Sequence, residues 1–239
     1  MMKKIKLIFL FLWLIIGAPV FAGEVMEVSY RAQGAGLHLM NASVFLNVDK
    51  NTYAAQTIAE TKGILSILLD GETIFKSDGK IVDNQFVPIN SLTETLTKKK
   101  HKKRQLDFMD KQGFIDYQTA LLQMMYLPYP QDRTFKVFDG KRELAVQFKY
   151  QGEQYLNTST SCIYDGAVDY YTVDITVTAG KKKGWFFNRM NTKEQSPLRV
   201  YFGKAQGIKG KVLVRATFDT SIFGVISIDM KSLNVGGGK

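Results

Sequence analysis

Few residues in this chain have types and spacings that could do chemistry. Histidine occurs twice, at His38 and His101, and cysteine once, at Cys162. The two histidines fall on different elements, with no cysteine or carboxylate at ligand spacing, so neither a zinc site nor a serine–histidine relay can be assembled. The chain has no G-x-S-x-G elbow, no H-E-x-x-H pair and no phosphate-cradling glycine loop. Asp165, Asp169 and Asp174 do not have the spacing of a calcium loop and read as solvated strand and turn residues. Cys162 has no partner for an internal disulfide and reads as a small buried hydrophobe in a strand. The expectation is a non-enzymatic protein without metal or cofactor.

What remains is charge and apolar surface. Lys98, Lys99, Lys100, His101, Lys102, Lys103 and Arg104 form the most biased segment of the chain. Such a run can contact an anionic envelope surface, each cation contributing on the order of 1 kcal/mol near a membrane. It can equally be a solvated hairpin tip, kept charged to discourage edge pairing. Lys181, Lys182 and Lys183 precede Trp185, Phe186 and Phe187, a mixture that suits a membrane interface, although Trp185 also fits an ordinary core.

The elements that must hold these residues begin after residue 22. Lys3, Lys4 and Lys6 precede an apolar run over residues 7–16, and Val20-Phe21-Ala22 is a small-x-small cleavage site. That run is too short for the ~20 residues that span a bilayer, so the expectation is a signal peptide cleaved after Ala22 and a periplasmic protein that is not an integral membrane protein. Cleavage removes three lysines and no acids, which lowers the net charge from +10 to +7. A basic exported protein favours anionic partners such as lipid head groups, lipopolysaccharide or acidic glycans, and not nucleic acid. Residues 23–233 are expected to form a single β-barrel-like domain, and residues 234–239 a flexible tail containing Gly236-Gly237-Gly238.

Within that domain the pattern is strand and turn almost throughout. Ala42, Val44, Leu46 and Val48 alternate with Ser43, Phe45, Asn47 and Asp49, the period-two mark of a sheet with two different faces. Tyr171, Val173, Ile175 and Val177 repeat it. Roughly a dozen or more short strands at spacings of about 8 to 12 residues predict an antiparallel barrel or sandwich. Ser77-Asp78-Gly79-Lys80 and Gln151-Gly152 read as turns, Pro88 as an edge or a bulge, residues 64–69 as a strand, and residues 92–97 and 104–109 as strands flanking the lysine run.

The exception is residues 113–129, read as one helix over about 114–126. Asp116 is a candidate N-cap or first-turn acid, and Pro128 and Pro130 end the segment. Gln118, Thr119 and Gln123 share an arc of about 140°, but Ile115 and Leu122 fall inside it. A helix apolar on nearly every side requires burial all round. Met124 and Met125 add adaptable side chains to its last turn.

The order of motifs resembles the bacterial envelope family called domain of unknown function 3108. The matching features are Tyr30 before a glycine-containing loop, Thr61-x-Gly63, Ser77-x-Gly79, Pro88, the basic strand pair before Asp107-Phe108, Ile115-Asp116-Tyr117, Val137-x-Asp139-Gly140, Trp185 and Pro197-x-Arg199-Val200. The resemblance implies a large open antiparallel β-barrel of the lipoprotein-carrier type, wrapped around a central helix, with no catalytic residue to carry over. It implies a non-enzymatic periplasmic protein that binds a lipid or another apolar ligand, with lipid or lipoprotein as the partner. Tyr117, Leu121, Met124, Met125 and Trp185 are the expected ligand contacts, and Lys98, Lys99, Lys100, Lys102, Lys103 and Arg104 the expected anionic-surface contacts. The alternative is an interaction protein with a filled core that meets membrane, peptidoglycan or an outer-membrane partner through its basic surface.

Overall fold

The computed structural model describes residues 23–63, 66, 71–98, 100–180, 198–220 and 223–237. Its elements are β1 (Glu24–Gly34), β2 (Leu37–Val48), β3 (Thr52–Thr61), β4 (Gly71–Val82), β5 (Gln85–Thr97), β6 (Lys100–Asp107), α1 (Tyr117–Met125), β7 (Arg133–Phe138), β8 (Arg142–Leu156), β9 (Gly166–Gly180), β10 (Leu198–Lys204), β11 (Lys211–Thr220) and β12 (Gly224–Gly237). All twelve strands belong to one antiparallel sheet in the order β6-β5-β4-β3-β2-β1-β12-β11-β10-β9-β8-β7. The chain is thus two meanders joined through the pairing of β1 with β12, and β6 and β7 are the edges.

The sheet curls until its two edges meet without pairing. Arg104 on β6 donates to the Asp139 carbonyl in the β7–β8 turn at 2.6 Å. The chain between β6 and α1 crosses the gap: Ile115 donates its N–H to Lys136 O, and Phe138 donates to Ile115 O, at 2.9 and 3.0 Å. That single parallel bridge on the β7 edge satisfies backbone groups that an exposed edge would offer to another chain. Gly140, at φ 85°, permits the close approach, because a Cβ there would lie 2.6 Å from Arg104 Cδ.

Alternation decides the core. Met26, Val28, Tyr30 and Ala32 on β1 are buried and share a face, which continues through Leu144, Val146 and Phe148 on β8 and Val212, Val214 and Ala216 on β11. Helix α1 lies against this inner face and brings Ala120, Leu122, Met124 and Met125 into the same cluster. Its last turn is pinned at one end of the sheet: Tyr126 donates to Glu24 Oε1 at 2.6 Å, and Gln123 donates to the Phe86 carbonyl at 3.1 Å. We call this the helix end. The opposite end holds Gly34, Thr97 and Lys100.

Several local expectations are corrected. The helix is shorter than residues 114–126, because residues before Asp116 pair with β7 instead of coiling. Ser77–Lys80 is no turn: β4 runs straight through, and the glycine marks a register shift where Gly79 pairs with Pro88. Likewise β8 continues past Gln151-Gly152 with a shift at Tyr150/Gly152. The lysine run does not sit between two strands but forms most of β6 itself. Asn234 is not the start of a tail, since β12 pairs Asn234 with Glu27 and Gly237 with Glu24. Cys162 is fully buried, as read, but in the loop after β8 instead of in a strand. Asp169 is buried beside Lys211 and not solvated. Most of the strand expected over residues 64–69 lies outside the described residues.

Candidate interior binding face

The start of α1 is anchored by a buried polar knot. Asp116 has the extended backbone of an N-cap (φ −91°, ψ 173°), and its Oδ1 accepts from Thr119 N at 3.0 Å. Its Oδ2 accepts from Ser77 Oγ at 2.7 Å and from Thr119 Oγ1 at 2.9 Å. The Tyr53 hydroxyl lies 2.8 Å from Thr119 Oγ1 and 3.2 Å from Ser77 Oγ. Burial pushes the Asp116 carboxyl and the Tyr53 phenol above their ordinary values, against the hydrogen bonds that favour the carboxylate. The polar arc of the helix thus faces β3–β5: Gln118 donates to Thr57 Oγ1 at 2.8 Å, and its carbonyl oxygen is buried without a partner among the described residues.

This knot fixes which side of each strand faces inward. Ser77 points at the helix, so the residues paired directly with it and those two positions away share its face. Ser77 pairs with Ser91, and Ser91 with Leu106. One rung further from the helix end, Phe75 pairs with Thr93 and Thr93 with Arg104; in the other direction Phe75 pairs with Thr57, Thr57 with Val44 and Val44 with Val28. The next rung reads Tyr30, Ala42, Ala59, Thr73, Thr95 and Lys102. A third ends in Thr97 and Lys100.

Each rung therefore changes character across the sheet, from Val28, Val44, Tyr30 and Ala42 on β1 and β2, through Thr57, Ala59, Phe75 and Thr73 on β3 and β4 and threonines on β5, to a cation on β6. Burial changes with it. Val28 and Tyr30 are buried, Val44, Ala42, Thr57, Ala59, Phe75, Thr73, Thr93 and Thr95 are half-buried, and Lys102 is exposed. On β2–β5 the inward-facing positions of these two rungs thus keep contact with solvent, whereas Tyr53, Ala55, Ser77 and Ser91, nearer the helix end, do not.

The expected site residues divide accordingly. Met124 and Met125 are core residues at 2% and 7% exposure, and Leu121 packs against the same cluster. Tyr117 is 36% exposed on the first turn of α1, near the seam between β6 and β7, where burial and the Asp139 carboxylate raise its phenol. Trp185 and Lys99 lie outside the described residues. Lys98 is in the turn before β6, while Lys100, Lys102 and Arg104 share the inner face, and Lys103 lies on the outer face. His101 also faces outward and contacts Glu94. The run is one segment in sequence but two faces in the fold. The inner rungs were missed because their members come from six strands, and only the alternation of β2 was visible.

Among the described residues no three His, Cys, Asp or Glu side chains are grouped to hold a metal ion. No helix among them is long and apolar enough to cross a membrane.

Comparison with known proteins gives a family and a set of distant structures. A family model described as "Protein of unknown function (DUF3108)" matches residues 92–231. No curated protein matches the chain. A beta-barrel-like protein of domain of unknown function DUF1849 from Brucella abortus is similar over 90% of this chain and 98% of its own, with 9% identity and a TM-score of 0.38. A DUF1329 family protein from Desulfovibrio piger is similar over 92% of this chain and 88% of its own, with 8% identity and a TM-score of 0.34.

Proposed function

The chain belongs to the DUF3108 family, and we propose that it is a non-enzymatic, periplasmic cell-envelope protein that binds a lipid or other apolar ligand on the inner face of its open sheet. One observation carries the reading. Beyond the start of α1, Ala42, Val44, Ala59 and Phe75 point to the concave side of a curved sheet and remain half-buried, although the same face is fully buried beside the helix. Concave apolar surface with a few placed polar groups is the usual form of a ligand site, and burying its remaining exposed area against an acyl chain would contribute roughly 25 cal/mol per Å2.

The helix sets the depth of that site. Leu122, Met124 and Met125 fill the interior at the helix end, so the ligand lies past the N-terminus of α1, over strands β2–β5. Export rests on the leader pattern in residues 1–22. The polar side chains at the start of α1 support binding over catalysis: Asp116, Ser77, Thr119 and Tyr53 satisfy one another in the core.

The test is native mass spectrometry and organic extraction of the mature protein purified from its own host. A stoichiometric lipid, or a rise in melting temperature on adding one, is the expected result. A clean apo protein with no lipid-induced shift would overturn the proposal and favour the alternative of a filled scaffold acting through its outer surface.

A further inference from the structure

We infer that the inner face takes a single-chain amphiphile with an anionic head group, its head on the β6 cations and its chain running across the strands towards β2. The inference rests on the proposed ligand-binding reading and adds the chemistry and orientation of the ligand. Pairing carries it. On two successive rungs the inner face ends in Arg104 and Lys102, and a third rung adds Lys100. The next positions inward are Thr93, Thr95 and Thr97, then Phe75 and Thr73, then Thr57 and Ala59, then Val44 and Ala42. A cation on β6 is thus followed by a threonine on β5, by mixed aromatic, hydroxyl and methyl side chains on β4 and β3, and by wholly apolar ones on β2, the order in which the head and chain of an amphiphile would meet them. Four interstrand spacings of ~4.8 Å separate β6 from β2, about 19 Å for head and chain together.

The outer face of the same strands carries no such gradient. Lys103 pairs with Glu94 and Glu94 with Ile74; His101 pairs with Leu96 and Leu96 with Glu72. There cations sit among acids, and His101 contacts Glu94. A run acting as one membrane-contacting unit would present its charges together, whereas the register puts an unbroken column of three cations on the concave side. Carboxylate and phosphate are both met by such a column, since guanidinium and ammonium groups donate charge-assisted hydrogen bonds to either. A free fatty acid and a lysophospholipid therefore share the required chemistry.

The experiment measures binding of the mature protein to laurate, to lysophosphatidylglycerol and to neutral monolaurin, each below its micelle concentration, by titration calorimetry. Two double variants are compared with the parent: K100Q/K102Q on the inner face and K76Q/K103Q on the outer face. All four positions are exposed, and both variants remove two positive charges. The expected result is that one or both anionic ligands bind at least tenfold more tightly than monolaurin. K100Q/K102Q then loses roughly tenfold in affinity for them and K76Q/K103Q less than threefold, and whichever anion binds more tightly identifies the head group. Equal affinity for monolaurin, or equal losses in the two variants, would overturn the inference and leave the apolar-ligand reading standing. No binding of any of the three would overturn both.

Discussion

Ser77 on β4 donates a 2.7 Å hydrogen bond to Asp116, 39 residues further along the chain and at the first position of α1's cap. With the bonds of Thr119 to Tyr53, Gln118 to Thr57 and Gln123 to the Phe86 carbonyl, it joins the helix to the inner face of the sheet, and the direction it gives Ser77 fixes which side chains of β3–β6 point inward. The binding proposal depends on that direction.

Removing the bond is expected to loosen the helix without abolishing the sheet. Ser77→Ala leaves a buried carboxylate short of one donor, a loss of about 1–3 kcal/mol. Asp116→Ala also removes the N-cap, itself worth about 1 kcal/mol, and leaves two hydroxyls buried without their acceptor. Urea unfolding should place Asp116→Ala below Ser77→Ala and both below the parent. Stabilities equal to the parent would show that the knot contributes nothing.

The same carboxyl predicts a pH dependence. Burial raises it above its ordinary 3.8, so the folded protein holds the proton to a higher pH than the unfolded chain does. Between those two values the native state binds more protons, and stability falls as pH rises. The contribution is complete below the ordinary carboxyl value and is lost as pH rises through the raised folded one. Asp116→Asn cannot titrate. The stability difference, parent minus variant, should favour the parent most at low pH and shrink as pH rises from about 4; a difference that is flat or grows contradicts the account.

The filled helix end predicts a stability effect separate from binding. Met124 is 2% exposed in the core, so Met124→Ala should cost about 2–5 kcal/mol. Because Met124 lies at the helix end and the proposed ligand beyond the start of α1, affinity for an acyl ligand should stay within threefold of the parent. A large loss of affinity in a folded variant would move the site to the helix.

Cleavage after Ala22 predicts a mature chain beginning at Gly23, one residue before β1 starts at Glu24. Intact mass of the protein recovered from the envelope fraction checks this. A leader-bearing mass, or recovery in the cytosol, contradicts export.

The parts of this architecture that the sequence disclosed are those written locally. The period-two run of β2 and the acidic cap of α1 follow from neighbouring residues, and both stand in the structure. What stayed hidden depends on partners distant in the chain. Gly79 looked like a turn because a glycine between polar residues is a turn locally; only the pairing with Pro88, opposite a β5 bulge that leaves Ile89 without a partner position, keeps it inside β4. Tyr53, Ser77 and Thr119 carried no joint signal, since 24 to 66 residues separate them. The lysine run was evident as composition, yet its division into inner and outer faces is a matter of register with β5. Gln118, Thr119 and Gln123 blurred the helix as an apolar plug because their partners, Thr57, Tyr53 and the Phe86 carbonyl, lie on the sheet.

The most direct test of the central claim is photo-crosslinking with a fatty acid that carries a diazirine near the chain terminus, followed by peptide mapping of the mature protein. The account predicts adducts on the inward-facing residues of β2–β4, with Val44, Ala59 and Phe75 among them, and competition by unlabelled fatty acid. Adducts confined to outward-facing residues such as Phe45 and Ile74, or labelling that unlabelled fatty acid does not reduce, would contradict it.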